Sequence, residues 1–187
     1  MIFLLVLLFL PPVEAGSSDP ARAAGHDGEW WLSLPQEQRT QVVAGYATYY
    51  AWKLRGPVQF SGSAAAYQTR LESRLKSAPA DRRLPISDLL EDDARKTPPG
   101  TGWRGAFSGE YWHELGATER LGFIQGLLEC QRKDAASTAK FSKAEDWYVS
   151  EISKSYGLRA DDPAAGDEGA FGTAIVDVLL RLADRTS

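Results

Sequence analysis

Gly28-Glu29-Trp30-Trp31-Leu32-Ser33-Leu34 returns 81 residues later as Gly109-Glu110-Tyr111-Trp112-His113-Glu114-Leu115. The register then holds without a gap: Arg39 meets Arg120, Val42 and Val43 meet Phe123 and Ile124, Gly45 meets Gly126, Phe60 and Ser61 meet Phe141 and Ser142, and Tyr67 meets Tyr148. Nine identities fall in the 48 pairs that begin with Gly28 and Gly109, where unrelated segments of ordinary composition would give about three. An internal duplication is the inference, and it decides the fold class.

Working outward, each copy reads as helices. Ser33 followed by Gln36 has the spacing of a capping box with Pro35 in the first turn, which places a helix start at Ser33. Val42, Val43, Tyr46, Tyr49 and Tyr50, and then Phe123, Ile124, Leu127 and Leu128, recur at the three- and four-residue spacing of an amphipathic helix. A second helix is capped by Ser61 or Ser63 and, in the other copy, by the box Ser142-Lys143-Ala144-Glu145. It carries Tyr67, Leu71 and Leu75, matched by Tyr148, Ile152 and Tyr156. A third helix is expected over Pro85 to Lys96 and over Thr173 to Asp184. Ile86 to Leu90 aligns with Ile175 to Leu179 only if the second copy has gained eight residues near Asp161 to Gly169, a Gly-, Asp- and Pro-rich stretch that reads as a loop over Ala160 to Gly172. No β-branched alternation competes as a strand.

The expected organisation is therefore a signal peptide over 1–15, a flexible stretch over 16–27, a helical repeat over 28–96, a linker over 97–108 and a second repeat over 109–187. Pro98 and Pro99 forbid helix in the linker. Each unit has three apolar-striped helices that must bury their stripes together, so the fold class is all-α: a six-helix bundle or two touching lobes about an approximate two-fold.

Ile2 to Leu10 is an unbroken apolar run followed by Val13-Glu14-Ala15, the small-residue pattern of a signal peptidase site. It is shorter than the roughly 18 residues a spanning helix needs, so the expectation is an exported protein, periplasmic or secreted, with no membrane span once the signal is removed. No Lys or Arg precedes the run, a departure from the usual signal. The 187-residue chain, less that segment, can build a core that buries about 70% of the unfolded surface. It needs no staple, and the single cysteine, Cys130, permits no intramolecular disulfide. Cys130 reads as a buried small hydrophobe. Twenty-one basic and 25 acidic residues, net −4, are mixed along the chain and offer no basic stripe for nucleic acid.

Glu29 and Glu110 stand at matching places ahead of a tryptophan, where an approximate two-fold could bring them together as an acid/base pair. Arg39 and Arg120 recur as faithfully, and a Glu-Arg tether holding the leading segment against the long helix is the preferred reading of both pairs. Trp30 with Trp31, and Tyr111 with Trp112, could stack on a sugar or peptide or staple the leading chain to the core. Four aromatics in two adjacent pairs cannot all point inward, so one of each pair should lie near the surface. Gly45 and Gly126 fall in mid-helix, where glycine costs about 1 kcal/mol relative to alanine. Close approach of another helix would compensate, and enlarging either to Leu should destabilise by roughly 1 to 3 kcal/mol. His26 and His113 occupy non-equivalent places without a second ligand at metal spacing, and no phosphate loop, nucleophile elbow or paired CxxC is present. No metal and no cofactor are expected.

Trp112-His113-Glu114-Leu115, then Glu119-Arg120, then Phe123-Ile124 and Gly126, with the counterpart from Trp31 to Gly45, resembles uncharacterised exported bacterial all-helical proteins with a helix built around a Trp-x-x-Leu then Gly motif. The resemblance covers the first helices of each copy and implies no activity. The function expected is a non-catalytic binding or interaction protein of the bacterial cell envelope, taking an envelope partner or a small ligand. The rival is an exported hydrolase acting on a glycan or peptide through Glu29 or Glu110 beside the tryptophan pairs.

Overall fold

The computed structural model describes residues 26–98, 103, 107–158 and 172–184. The signal, most of the stretch over 16–27 and most of the loop over Ala160 to Gly172 lie outside the described residues. Those described are helical, and extended pairing is confined to the isolated bridges Asp27 to Pro85 and Lys140 to Asp184.

The first half holds α1 (Gly28–Ser33), α2 (Gln36–Tyr49), α3 (Ala64–Ser77) and α4 (Ile86–Lys96). The second holds α5 (Gly109–Glu114), α6 (Ala117–Lys133), α7 (Glu145–Ser155) and α8 (Ile175–Arg181). The starts of α5, α6 and α7 each fall 81 residues after those of α1, α2 and α3. Each half thus has four helices, against the three expected, because the Trp-bearing segment forms a short helix of its own. Asp27 caps α1 by accepting from the Trp30 N–H at 2.8 Å.

The capping boxes expected from sequence do not form. Ser33 closes α1, with its hydroxyl donating to the Trp30 carbonyl at 2.6 Å. Pro35 then forces Leu34 out of the helical region, and α2 begins at Gln36 without a side-chain cap. In the second half the N-cap of α7 falls on Ala144, which has no side-chain acceptor, two residues past Ser142, and the Glu145 carboxylate accepts from Gln125. Ser63, one of the two expected caps, does cap α3 by accepting from the Ala66 N–H. Beyond α2 the helix widens into a π turn over Tyr50–Leu54, which ends where Arg55 enters the left-handed region at φ 45°.

The structural axis is the crossing of α2 and α6. Every residue from Gln41 to Tyr50 and from Gly122 to Gln131 is buried. Over these stretches consecutive residues of both helices are buried, where the sequence had suggested one apolar stripe. The crossing is set by glycine. A Cβ added at Gly45 would lie 2.0 Å from the Phe123 carbonyl oxygen, and one added at Gly126 would lie 2.0 Å from the Val42 carbonyl oxygen. At those distances backbone touches backbone, which accounts for two mid-helix glycines that propensity disfavours.

Around this axis Trp31, Trp112, Tyr46, Tyr67, Tyr148 and Tyr156 are fully enclosed. Phe60 and Phe141 lie 5.4 and 5.5 Å from the rings of Tyr67 and Tyr148, at the offset spacing aromatic pairs prefer. Chain connections repeat as well: the Ile86 N–H donates to the His26 carbonyl at 2.8 Å, and the Ile175 N–H to the Phe107 carbonyl at 3.0 Å. No helix among the described residues is long and apolar enough to cross a membrane.

Candidate functional site

The residues singled out in sequence divide by depth. Trp31 and Trp112 are wholly buried, while Trp30 and Tyr111 are half-buried. The Trp112 indole donates to the Ser153 hydroxyl at 3.1 Å, whereas the Trp31 indole nitrogen is enclosed without a partner among the described residues. Arg39 and Arg120 lay their guanidinium groups over these two indoles, 5.5 and 5.7 Å from the ring centres, within cation–π reach.

The expected Glu-Arg tether is absent. Arg39 pairs with Glu72 at 3.0 Å, Arg120 donates to the Trp112 carbonyl at 3.0 Å, and exposed Glu29 stands 3.7 Å from Arg82. Glu110 is exposed. Each arginine spans from the long helix to the buried tryptophan, a job its stem and planar head do without a carboxylate on the leading helix.

His26 is tied in, where the sequence suggested a loose stretch. Its Nδ1 lies 2.7 Å from the Glu129 carboxylate, 2% exposed, and its ring stacks on Trp30 at 3.6 Å. Arg132 also engages Glu129. Nearby, Glu91 of α4 accepts from the Tyr46 hydroxyl at 2.7 Å and pairs with Lys133 at 3.0 Å and Arg95 at 3.1 Å. Burial pushes the phenol of Tyr46 up, and burial with the charge of Glu91 does the same to the Cys130 thiol. Cys130 is thus a protonated core side chain. Both carboxylates have their charge matched on the spot, which is how a buried acid remains tolerable.

An open cleft of about 380 Å³ lies where α2, the start of α3 and α5 meet. Thr40, Gln41 and Ala44 form its α2 wall, and Gly62 to Ala65 form another. Trp103, Phe107 and Tyr111 close the third side. Phe107 and Tyr111 lie 4.1 Å apart, and Trp103 meets Phe107 edge-on at 6.3 Å. Both polar aromatic edges are committed inside the protein: the Tyr111 hydroxyl donates to the Gln41 carboxamide oxygen at 2.6 Å, and the Trp103 indole N–H donates to the Thr48 hydroxyl at 3.2 Å. Burial pushes the Tyr111 phenol up to about 12, which keeps it a donor at neutral pH. Thr40 is bonded to Gln68. Among the described residues, none that lines the cleft carries a charge.

Tyr111 is the one candidate from sequence that lines this cleft. Trp103 and Phe107 were legible only as two aromatics in an otherwise polar linker, and Gln41, Ala44 and Ala64 carried no signal alone. Their meaning emerges in register. Residues 81 positions on from Ala44 and Ala64 are Gln125 and Glu145, and these two side chains meet at 2.7 Å while Gln125 also accepts from Gln38 at 2.8 Å. His26 and Trp30, 81 positions before Phe107 and Tyr111, supply a stacked ring pair there too. Where one side has two methyl groups and open volume, the other has an amide joined to a carboxylate.

Among the described residues no group of His, Cys, Asp and Glu is arranged to hold a metal ion. Comparison with protein-family models, curated proteins and solved structures finds no match, so the reading of this cleft rests on the chain's own geometry.

Proposed function

We propose that the chain is a non-catalytic binding protein of the bacterial cell envelope, built from a duplicated helical unit about an approximate two-fold, with its ligand held between α2, α3 and α5. The observation that carries this reading is the contrast between the open, aromatic-lined Ala44 side and the Gln125 side, where an amide-carboxylate bond occupies the corresponding place. Reciprocal contacts of Gly45 with Phe123 and of Gly126 with Val42 support the duplicated ancestry. Export rests on the apolar run from Ile2 to Leu10. A concave, largely preformed pocket with few polar groups is the usual form of a small-molecule site.

The hydrolase reading asks for a carboxylate and an aromatic face converging in one hollow. Neither Glu29 nor Glu110 lines the cleft, and no other carboxylate among the described residues does.

The test is a thermal-shift screen of uncharged small molecules against the wild type and against Ala44→Gln/Ala64→Glu, which installs the other side's pair. Stabilisation of the wild type by a compound that leaves the double variant unmoved is expected. Turnover of a glycan or peptide that disappears in Glu110→Gln would overturn the proposal in favour of the enzyme.

A further inference from the structure

Resting on that reading of the cleft, we infer that its ligand is a neutral saccharide, one or two sugar rings in size, seated with a C–H face against Tyr111 and hydroxyls toward Gln41 and Ser63. A charged ligand entering the cleft would lose water without gaining a counter-charge from the described lining residues, none of which is ionised. A purely apolar ligand would strand the Gln41 amide NH₂ and the Ser63 O–H, whose partner oxygens are engaged as acceptors while these donors face the cleft. What remains is a ligand that is uncharged, rich in hydroxyls and apolar on one face.

The way the aromatics are tied sharpens the choice. Grooves that read proline-rich peptides present aromatic side chains to an extended ligand, and their N–H and O–H edges are the natural donors to its carbonyls. Here both edges are spent, on Gln41 and on Thr48. What the rings bring to the cleft is apolar surface, with Phe107 and Tyr111 lying against one another at 4.1 Å, and apolar ring surface is what the axial C–H bonds of a pyranose meet.

Because the Gln41 carboxamide oxygen is occupied by Tyr111, its NH₂ group is the end left to donate to a sugar oxygen. Ser63 uses its oxygen as an acceptor from the Ala66 N–H, which leaves its own O–H to donate. A volume of about 380 Å³ lies at the small end of ligand sites, which fits one or two rings and excludes a long chain enclosed along its length.

The experiment is a titration of the full protein with glucose, galactose, N-acetylglucosamine and the β-1,4 disaccharide of N-acetylglucosamine, followed by the chemical shifts of the Trp103 indole and the Gln41 side-chain amide. A proline-rich decapeptide and a set of uncharged non-sugar aromatics serve as the other arms. At least one sugar should move both signals with saturation. Tyr111→Phe, which keeps the ring face, should bind within about threefold of wild type, and Tyr111→Ala should weaken binding about tenfold. Ala44→Gln/Ala64→Glu should abolish the shifts while leaving the rest of the spectrum folded, which guards against a Tyr111→Ala variant that fails to fold. If the sugars leave both signals still while the peptide or the aromatics move them, the saccharide assignment falls and the binding cleft stands. If nothing moves them, both fall.

Discussion

Two corners of this molecule share helix starts, ring pairs and chain connections, yet one carries two alanines beside an open cleft and the other an amide bonded to a carboxylate. On the open side Ala44 of α2 and Ala64 of α3 both line a cleft that Phe107 and Tyr111 also line. On the filled side Gln125 of α6 meets Glu145 of α7, and His26 stacks on Trp30 at the places that match Phe107 and Tyr111. The framework that positions both is the glycine crossing of α2 and α6, and it is indifferent to the choice. A helical scaffold fixes where volume occurs, and a few side chains on its walls decide whether that volume becomes core or site. The halves also differ in how their outer helices are held. Arg70 and Arg74 cross from α3 to Asp93 and Asp92 of α4, whereas the ion pair on α7, Lys154 with Glu151, joins neighbours on one helix.

The largest expected effect tests the shared framework. With 2.0 Å between an added Cβ and a carbonyl oxygen, Gly45→Ala and Gly126→Ala should each force α2 and α6 apart and cost about 3 kcal/mol. The enlargement expected from sequence to matter at leucine should therefore already matter at a single methyl. Urea denaturation would measure both, and the two costs should agree within about 0.5 kcal/mol if the crossing is reciprocal. A variant pair in which one glycine tolerates alanine would break the comparison at its root.

Next come the two enclosed tryptophans. Trp31→Phe and Trp112→Phe remove similar volume, but only the second gives up a hydrogen bond, to Ser153. The first also removes a buried N–H that has no partner among the described residues. Trp112→Phe should therefore be the costlier by about 1 kcal/mol in denaturant midpoints. Equal costs would mean that the Ser153 bond adds nothing.

Exchanging the wall residues sharpens the contrast itself. Gln125→Ala/Glu145→Ala should open a hollow on the filled side and cost about 1 to 2 kcal/mol, since Gln38 loses its acceptor there. Ala44→Gln/Ala64→Glu should change stability by less than about 1 kcal/mol, because it fills a space now open to water. Thermal melting gives the energies and a structure of each variant gives the volume. A collapsed hollow in the first variant would show that the filled side depends on its polar pair for its shape.

Helical class was plain in the sequence, since glycine and aromatic positions recur in register, but the single apolar stripe read on the two long helices was not what formed, because consecutive residues of both are buried. The glycine crossing was legible for the same reason: a costly residue repeated in mid-helix needs a close neighbour. Helix starts were less so, because Ser33 and Ser142 match the capping pattern while the helices begin past them, after Pro35 and after Ala144. The Glu-Arg tether failed for a related reason. Repetition of Glu29 and Arg39 identifies shared constraint but not a shared partner, and the arginines were spent on tryptophan faces, on Glu72 and on the Trp112 carbonyl. The cleft was least visible, because its makers include alanines whose importance lies in what they leave empty.

The smallest expected effect concerns acid, and it should appear in one half. Lys96 first, and Arg74 with it, hold the Asp92 carboxyl below its usual value of 3.8. A carboxylate whose folded pKa is depressed contributes stability that is complete above the unfolded value and is lost as pH falls through the folded one. The Arg74 contact at 2.5 Å joins α3 to α4, so its loss should loosen that seam below about pH 4. Asp92 is more than a third exposed at 36%, so solvent screens the pair and the contribution should stay under about 1 kcal/mol. Hydrogen exchange of α4 amides between about pH 5 and 3, corrected for intrinsic rates, is the measurement. Wild type should lose protection on the acid side, Asp92→Asn should start lower and change less, and added salt should shrink the difference between them. Among the described residues no such ion pair joins α8 to its packing partner α7. If α8 loses protection in step with α4, then acid acts on the whole fold, and the Arg74 seam is not what distinguishes the first half from the second.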